Sequence, residues 1–206
     1  MFRKALLLIL LAVPFAAARQ DYEVTHTEVH PLAVGGTLRI HLSVGDLHIV
    51  KGSDAQNVHV HYTIRTSHES NLRDATSTFR AQSDGATIEF NAPFRGNTSI
   101  DVELEVPDPT ALEVHLKVGE LRIEGIHGNK DLAVKVGDIQ VSGSDPDYRS
   151  VHADTGIGDV NLHPDGWQST LTNYKQSGWL GKKLSYDSNG KYDLRAQVSV
   201  GDIEIR

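Results

Sequence analysis

The stretch "LKVGELRIEGIHGNKDLAVKVGDIQV", residues 116–141, spells one six-residue pattern twice, as VGELRI at 118–123 and VGDIQV at 136–141. Three further copies lie elsewhere: LSVGDLHI at 42–49, TGIGDVNL at 155–162 and VSVGDIEI at 198–205. The glycines are Gly45, Gly119, Gly137, Gly158 and Gly201, separated by 74, 18, 21 and 43 residues. A unit of about 20 residues accounts for all four intervals, which is the signature of an internal repeat.

Apolar and polar residues alternate within each copy, the period of a strand. At the glycine the phase slips. Leu112, Val114, Leu116 and Val118 share one parity, whereas Leu121 and Ile123 share the other. Leu132, Val134 and Val136 give way to Ile139 and Val141 in the same manner, as do Leu38, Ile40, Leu42 and Val44 to Leu47 and Ile49. Val198 and Val200, followed by Ile203 and Ile205, repeat it. A straight strand would turn the second set outward, so each Gly-acid pair is expected to form a corner that keeps both sets inward. Glycine supplies a positive φ there. The acids Asp46, Glu120, Asp138, Asp159 and Asp202 are expected to cap their own turns. Corners at the pitch of one coil lead us to expect an all-β, single-domain β-solenoid with coils of about 20 residues. A β-sandwich of hairpins is the alternative.

The chain of 206 residues suits one domain. Its start, MFRKALLLILLAVPFAAA, joins a basic end to an apolar run and small residues at Ala16 and Ala18, the layout of a secretory signal peptide over residues 1–18. The apolar run falls short of the roughly 20 residues of a membrane span. The domain is then expected over 19–206, exported to the periplasm or the cell exterior, with no membrane span. Cysteine is absent, which leaves no disulfide and no cysteine for lipid attachment. Loss of Arg3 and Lys4 with the signal takes the formal charge from -7 to -9. Such acidity makes nucleic acid a poor partner.

Two segments depart from the repeat. Residues 67–91 read as a short helical turn and two strands joined at SDG, and residues 163–193 form an excursion holding both tryptophans. Strictly alternating strands NVHVHYTI (57–64) and SIDVELEVP (99–107) lie between them.

The runs VPDPTALEVHLKVGELRIEGIHG (106–128), LAVKVGDIQVSGS (132–144), DTGIGDVNLHPDGW (154–167) and VSVGDIEIR (198–206) carry a resemblance. Over roughly residues 24–206 the chain resembles exported bacterial "putative adhesins" with β-strand repeats, a domain of unknown function with repeated VGD-type corners. The resemblance implies a β-helical or related all-β fold and an adhesion role. It supplies no catalytic residues. With no sortase-type motif, lipidated cysteine or anchoring segment in view, a surface role is expected to need a partner or trapping at the envelope.

Chemistry is sparse. A ladder of corner carboxylates offers calcium oxygen ligands, but the nonapeptide calcium repeat needs a spacing of nine, and turn capping is the preferred reading. His59 and His61 share a strand face and lack an identifiable third ligand, so no metal and no cofactor is expected. His41, His48, His115, His127, His152 and His163 sit beside apolar positions and are expected to face solvent. The excursion interleaves Trp167, Tyr174, Trp179, Tyr186 and Tyr192 with Lys175, Lys182 and Lys183. Of these, Trp167, Tyr174, Trp179, Lys182 and Lys183 are the candidate binding residues, for an envelope polysaccharide or an envelope protein. The bland reading makes the segment a cap over the last coil, with Trp179 buried. No nucleophile elbow, catalytic triad or phosphate loop is present, and a non-enzymatic binding module is expected. A structural envelope solenoid without a ligand is the alternative, and a carbohydrate-active β-helix enzyme is the more remote one. N-terminal sequencing of the exported product should read Arg19-Gln20-Asp21; a membrane-bound product retaining residues 1–18 contradicts the cleaved signal.

Overall fold

The structure, a computed structural model, describes residues 21–93, 97–142, 148–163 and 172–206. The proposed signal and Trp167 lie outside the described residues. In chain order the elements are β1 (Tyr22–Pro31), β2 (Thr37–Val44), β3 (Leu47–Lys51), β4 (Asn57–Thr66), α1 (Glu69–Asp74), β5 (Thr76–Gln82), β6 (Gly85–Asn91), β7 (Ser99–Val106) and β8 (Ala111–Val118). They continue as β9 (Leu121–Glu124), β10 (Lys130–Val136), β11 (Ile139–Ser142), β12 (Tyr148–Ile157), β13 (Val160–Leu162), β14 (Thr172–Ser177), β15 (Lys183–Asp187), β16 (Tyr192–Val200) and β17 (Ile203–Ile205).

Each repeat copy becomes a pair of strands broken at its glycine: β2/β3, β8/β9, β10/β11, β12/β13 and β16/β17. The first strand of each pair belongs to a nine-stranded sheet ordered β14-β15-β12-β16-β10-β8-β2-β6-β5. The second belongs to an eight-stranded sheet ordered β1-β4-β7-β3-β9-β11-β17-β13. Neighbouring copies run parallel in both sheets. β7 joins β3 and β6 joins β2 in parallel, and antiparallel pairings complete each sheet, β7–β4–β1 in one and β6–β5 and β12–β15–β14 in the other. The expected all-β class holds, and two mixed sheets around one core are compatible with the sandwich alternative. In space the corners lie in the order Gly45, Gly119, Gly137, Gly201, Gly158, so the last copy in sequence is inserted between the third and fourth. Parallel neighbours in one sheet tolerate this because each pairing is set by register and not by chain order.

The corner chemistry follows from contact between glycines. Their φ values run from +128 to +140°, a region that L side chains rarely adopt. A Cβ on Gly119 would stand 1.9 Å from the carbonyl oxygen of Gly45, and one on Gly137 would stand 2.0 Å from that of Gly119. The same holds for Gly201 against Gly137 at 2.1 Å and Gly158 against Gly201 at 2.0 Å. Backbone hydrogen bonds tie the rungs, from Gly45 N to Val118 O (3.0 Å), Gly119 N to Val136 O (3.0 Å), Gly137 N to Val200 O (2.9 Å) and Gly201 N to Ile157 O (2.9 Å).

Two sequence expectations are corrected at the corners. First, the acids cap the next rung and not their own turn: Asp46 Oδ1 accepts from Glu120 N at 2.9 Å, Asp138 Oδ1 from Asp202 N at 2.7 Å and Asp202 Oδ1 from Asp159 N at 2.7 Å. Glu120, one methylene longer, turns its Oε1 to Arg122 instead. Second, the aliphatic residue before each glycine does not enter the core. Leu112, Val114, Leu116, Leu121 and Ile123 are buried as the parity argument requires, yet Val118, Val136 and Val200 are 41 to 44% exposed and Ile157 is 58% exposed. The chain is already leaving one sheet for the other at these residues, so same-parity Cβ atoms no longer face the core. They form an aliphatic ladder in register along the corner edge.

Residues 67–91 fold as expected, with α1 followed by the β5–β6 hairpin. The buried Asn71 ties α1 down, its Nδ2 donating to Thr66 Oγ1 (3.2 Å) and Thr98 Oγ1 (3.0 Å).

Gly137→Ala should destabilise the fold by about 3 kcal/mol or more, since the new Cβ meets fixed backbone and carries a disfavoured φ. Asp138→Asn keeps a carboxamide oxygen for the Asp202 amide and should cost about 1 kcal/mol. Urea denaturation measures both, and coincident midpoints contradict the packed glycine ladder.

Candidate binding face

Residues two and four positions before each corner glycine point away from the core, on the outer face of the nine-stranded sheet. Register sets them in two rows. One row is His41, His115, Ala133, Gln197 and Asp154; the other is Ser43, Lys117, Lys135, Ser199 and Gly156. Together with Phe90 and Asn91 of β6 they line a groove of about 640 Å³ that crosses six neighbouring strands. At about 4.8 Å per strand it is about 24 Å long.

Side chains along the groove differ in how they are held. The rings of His41 and His115 stack with centroids 5.1 Å apart and planes 5° apart. Ser43 is buried and structural: its Oγ accepts from Ala92 N at 2.9 Å and lies 3.5 Å from Phe90 O. Asp154 is paired with Lys183 at 2.7 Å. Lys135, Gln197 and Ser199 make no side-chain hydrogen bond or ion pair among the described residues, and Lys135 is exposed. Just beyond the groove, Glu89 pairs with Arg80 (2.8 Å) and Glu113 with Arg39 (3.2 Å).

The excursion borders one end of this groove. β14 and β15 pair antiparallel, and β15 adds to β12. Leu184 and Tyr186 of β15 are buried in the core, whereas Trp179 is 92% exposed and Leu180 68% exposed in the connecting loop. The loop is pinned against β12: Thr155 N donates to Lys182 O (2.8 Å), Lys182 N donates to Thr155 Oγ1 (2.9 Å) and Gly158 N reaches Leu180 O (3.3 Å). Gly181 is required there, because a Cβ would lie 1.9 Å from Thr155 O and 2.5 Å from Gly156 O.

Of the candidate residues, Lys182 and Lys183 therefore sit at the end of the groove, with Trp179 beside them. The buried cap expected of Trp179 is instead filled by Tyr186, because alternation along β15 turns Leu184 and Tyr186 inward. Tyr174 lies on β14, its side chain outside the described ones, and Tyr192 is half-buried against the core. His59 and His61 do face away from Val58, Val60 and Tyr62, but they diverge to separate partners, Asp54 for His59 (3.2 Å) and Thr27 for His61 (3.1 Å). Hydrogen bonds from Asn57, Gln56 and His59 pull the Asp54 carboxyl down to about 2. His41, His115, His152 and His163 face solvent as expected, while His127 is partly buried and its Nδ1 meets Asp108 at 2.7 Å. Among the described residues no three His, Asp or Glu side chains converge in metal-ligating geometry.

Sequence reading missed the groove itself. The signal was available at the outward positions of the repeat, where lysine, histidine, glutamine and serine replace one another while the inward positions stay aliphatic.

No family model matches the sequence, and no curated protein matches it. Its fold is similar to that of a "putative cell adhesion protein" from Clostridium sporogenes, at 15% identity and a TM-score of 0.48, over 88% of this chain and 99% of that one. It is also similar to a "putative adhesin" from Bacteroides fragilis (9% identity, TM-score 0.32, 89% and 97% of the chains). A third similar structure is a "putative lipid binding protein" from Parabacteroides distasonis (7% identity, TM-score 0.30, 67% and 64%).

Trp179→Ala should leave the melting temperature unchanged to within about 1 °C, since an exposed ring contributes little packing. Tyr186→Ala should cost about 3 to 5 kcal/mol by emptying a buried aromatic site. Thermal and urea melts of the two variants check this, and comparable losses restore the cap reading for Trp179.

Proposed function

We propose that the protein is a non-enzymatic binding module, exported to the cell envelope, that holds an envelope polymer across the outer face of its nine-stranded sheet. The groove carries this reading: it is long and open, and its walls repeat strand by strand. A repeating ligand matches a repeating wall, whereas small molecules favour enclosed pockets lined mainly by apolar groups. The signal-peptide pattern at residues 1–18 supports export, to the periplasm or the exterior. The five stacked corner units, read as a short solenoid segment, supply the regular spacing.

An enzymatic reading has less support. Ser43 is engaged with backbone, and the two groove imidazoles stack on each other. Nucleophile, base and oxyanion donor do not meet at one place among the described residues.

The test is co-sedimentation of the chain from Arg19 onward with isolated envelope polysaccharide and envelope protein fractions. Saturable binding is expected, and Ala133→Trp, which raises the floor of the groove, should abolish it without lowering the melting temperature. Binding that survives this substitution sinks the groove as the site. Absence of any saturable binding favours the structural module without a ligand.

A further inference from the structure

Resting on the binding reading above, we propose that the polymer is an anionic polysaccharide lying across the strands, with about one sugar residue per strand. The first observation is local charge. The chain has a formal charge of -7, yet Lys117 and Lys135 stand on adjacent rungs of the groove. Asp154 is the one acid among the groove's lining residues, and its carboxylate is neutralised by Lys183 at 2.7 Å. Of the flanking acids, Glu89 pairs with Arg80, while Glu113 shares Arg39 with Asp84. Two lysines against one ion-paired acid make the groove lining locally cationic on an acidic molecule, and complementary charge both steers and orients a partner.

The opposite face behaves differently. A depression of about 300 Å³ on the eight-stranded sheet is lined by Asp46, Asp101, Glu103 and Glu120 together with Arg122, His48 and His61; Arg122 pairs with Glu120 and Arg65 with Asp101, which leaves Asp46 and Glu103 as its excess carboxylates. A polyanion is therefore favoured on one face and repelled by the other.

The second observation is pitch. Adjacent rungs are about 4.8 Å apart, close to the length that one pyranose residue adds to an extended chain. A polymer crossing the strands then presents one ring to each rung in turn. Lys117 and Lys135 meet acidic groups on successive sugars, and the side chains of Gln197 and Ser199, which have no protein partner among the described residues, meet hydroxyls. Gly156 keeps the last rung flush, where a Cβ would lie 2.6 Å from Ser199 O. Beyond it, the pinned loop places the exposed Trp179, whose face suits sugar C–H groups. A single-stranded nucleic acid is also anionic, but it needs a succession of free aromatic faces, and the mid-groove rings of His41 and His115 cover each other.

Calorimetric titration of the chain from Arg19 onward tests the class, with polygalacturonate as the anionic probe, dextran as the neutral one and single-stranded DNA as the competing polyanion. Polygalacturonate should bind at least tenfold more tightly than dextran or DNA, and added salt should weaken it, as for any exposed charge pairing. The double variant Lys117→Gln, Lys135→Gln should lose roughly tenfold in affinity with its thermal melt unchanged. Dextran bound as tightly as polygalacturonate, DNA bound as tightly, or a double variant that binds like the parent each overturns the anionic class. So does failure to bind polygalacturonate. In any of these cases, envelope-fraction binding still lost in Ala133→Trp leaves the binding face standing; an Ala133→Trp variant that binds envelope fractions like the parent removes both readings.

Discussion

Five stacked corner glycines, four resting on the carbonyl oxygen of the neighbouring corner and Gly45 on that of Ile100, set the geometry of this protein. With a hypothetical Cβ only 1.9 to 2.1 Å from backbone oxygen along the stack, no side chain fits, and the five corners have one spacing available to them. Backbone hydrogen bonds between rungs and aspartates reaching to the next amide hold that spacing. A charge-assisted bond to a backbone amide is among the stronger local interactions. The corner acid is thus a link between repeat units, which explains why it recurs with the glycine.

Fixing the corners fixes everything upstream by register. Residues two and four before the glycine fall into rows whatever their chemistry, so the outer face is a lattice on which substitutions act without disturbing the core. Inward positions carry Leu, Ile and Val with near-zero exposure, and they bury the apolar area that stabilises a chain without disulfides. Function can therefore reside in the outward rows while the repeat is kept intact. The two outer faces differ in charge, one lined by two lysines and a single ion-paired aspartate, the other by four carboxylates of which two are ion-paired.

The excursion shows how a break in the repeat is absorbed. β15 continues the nine-stranded sheet in antiparallel register and contributes Leu184 and Tyr186 to the core, so one side of the segment is structural. Its connecting loop, held by Gly181 against β12, turns Trp179 and Leu180 to solvent beside the groove. A single segment thus serves packing through one pair of residues and exposure through another, five or six positions apart.

Sequence by itself determined the all-β class, the corner positions and the inward residues after each glycine, because alternation and glycine chemistry are local properties. It also located the helix and hairpin of residues 67–91. Four matters were decided only by tertiary structure. The last repeat copy slots between the third and fourth, a choice of pairing between distant segments. The corner aspartates bond across rungs up to 74 residues apart, which no local turn argument can see. Val118, Val136 and Val200 escape the core because the bend precedes the glycine. The groove exists because register brings β2, β8, β10, β16 and β12 side by side, and strand register is a long-range outcome that periodicity alone leaves open.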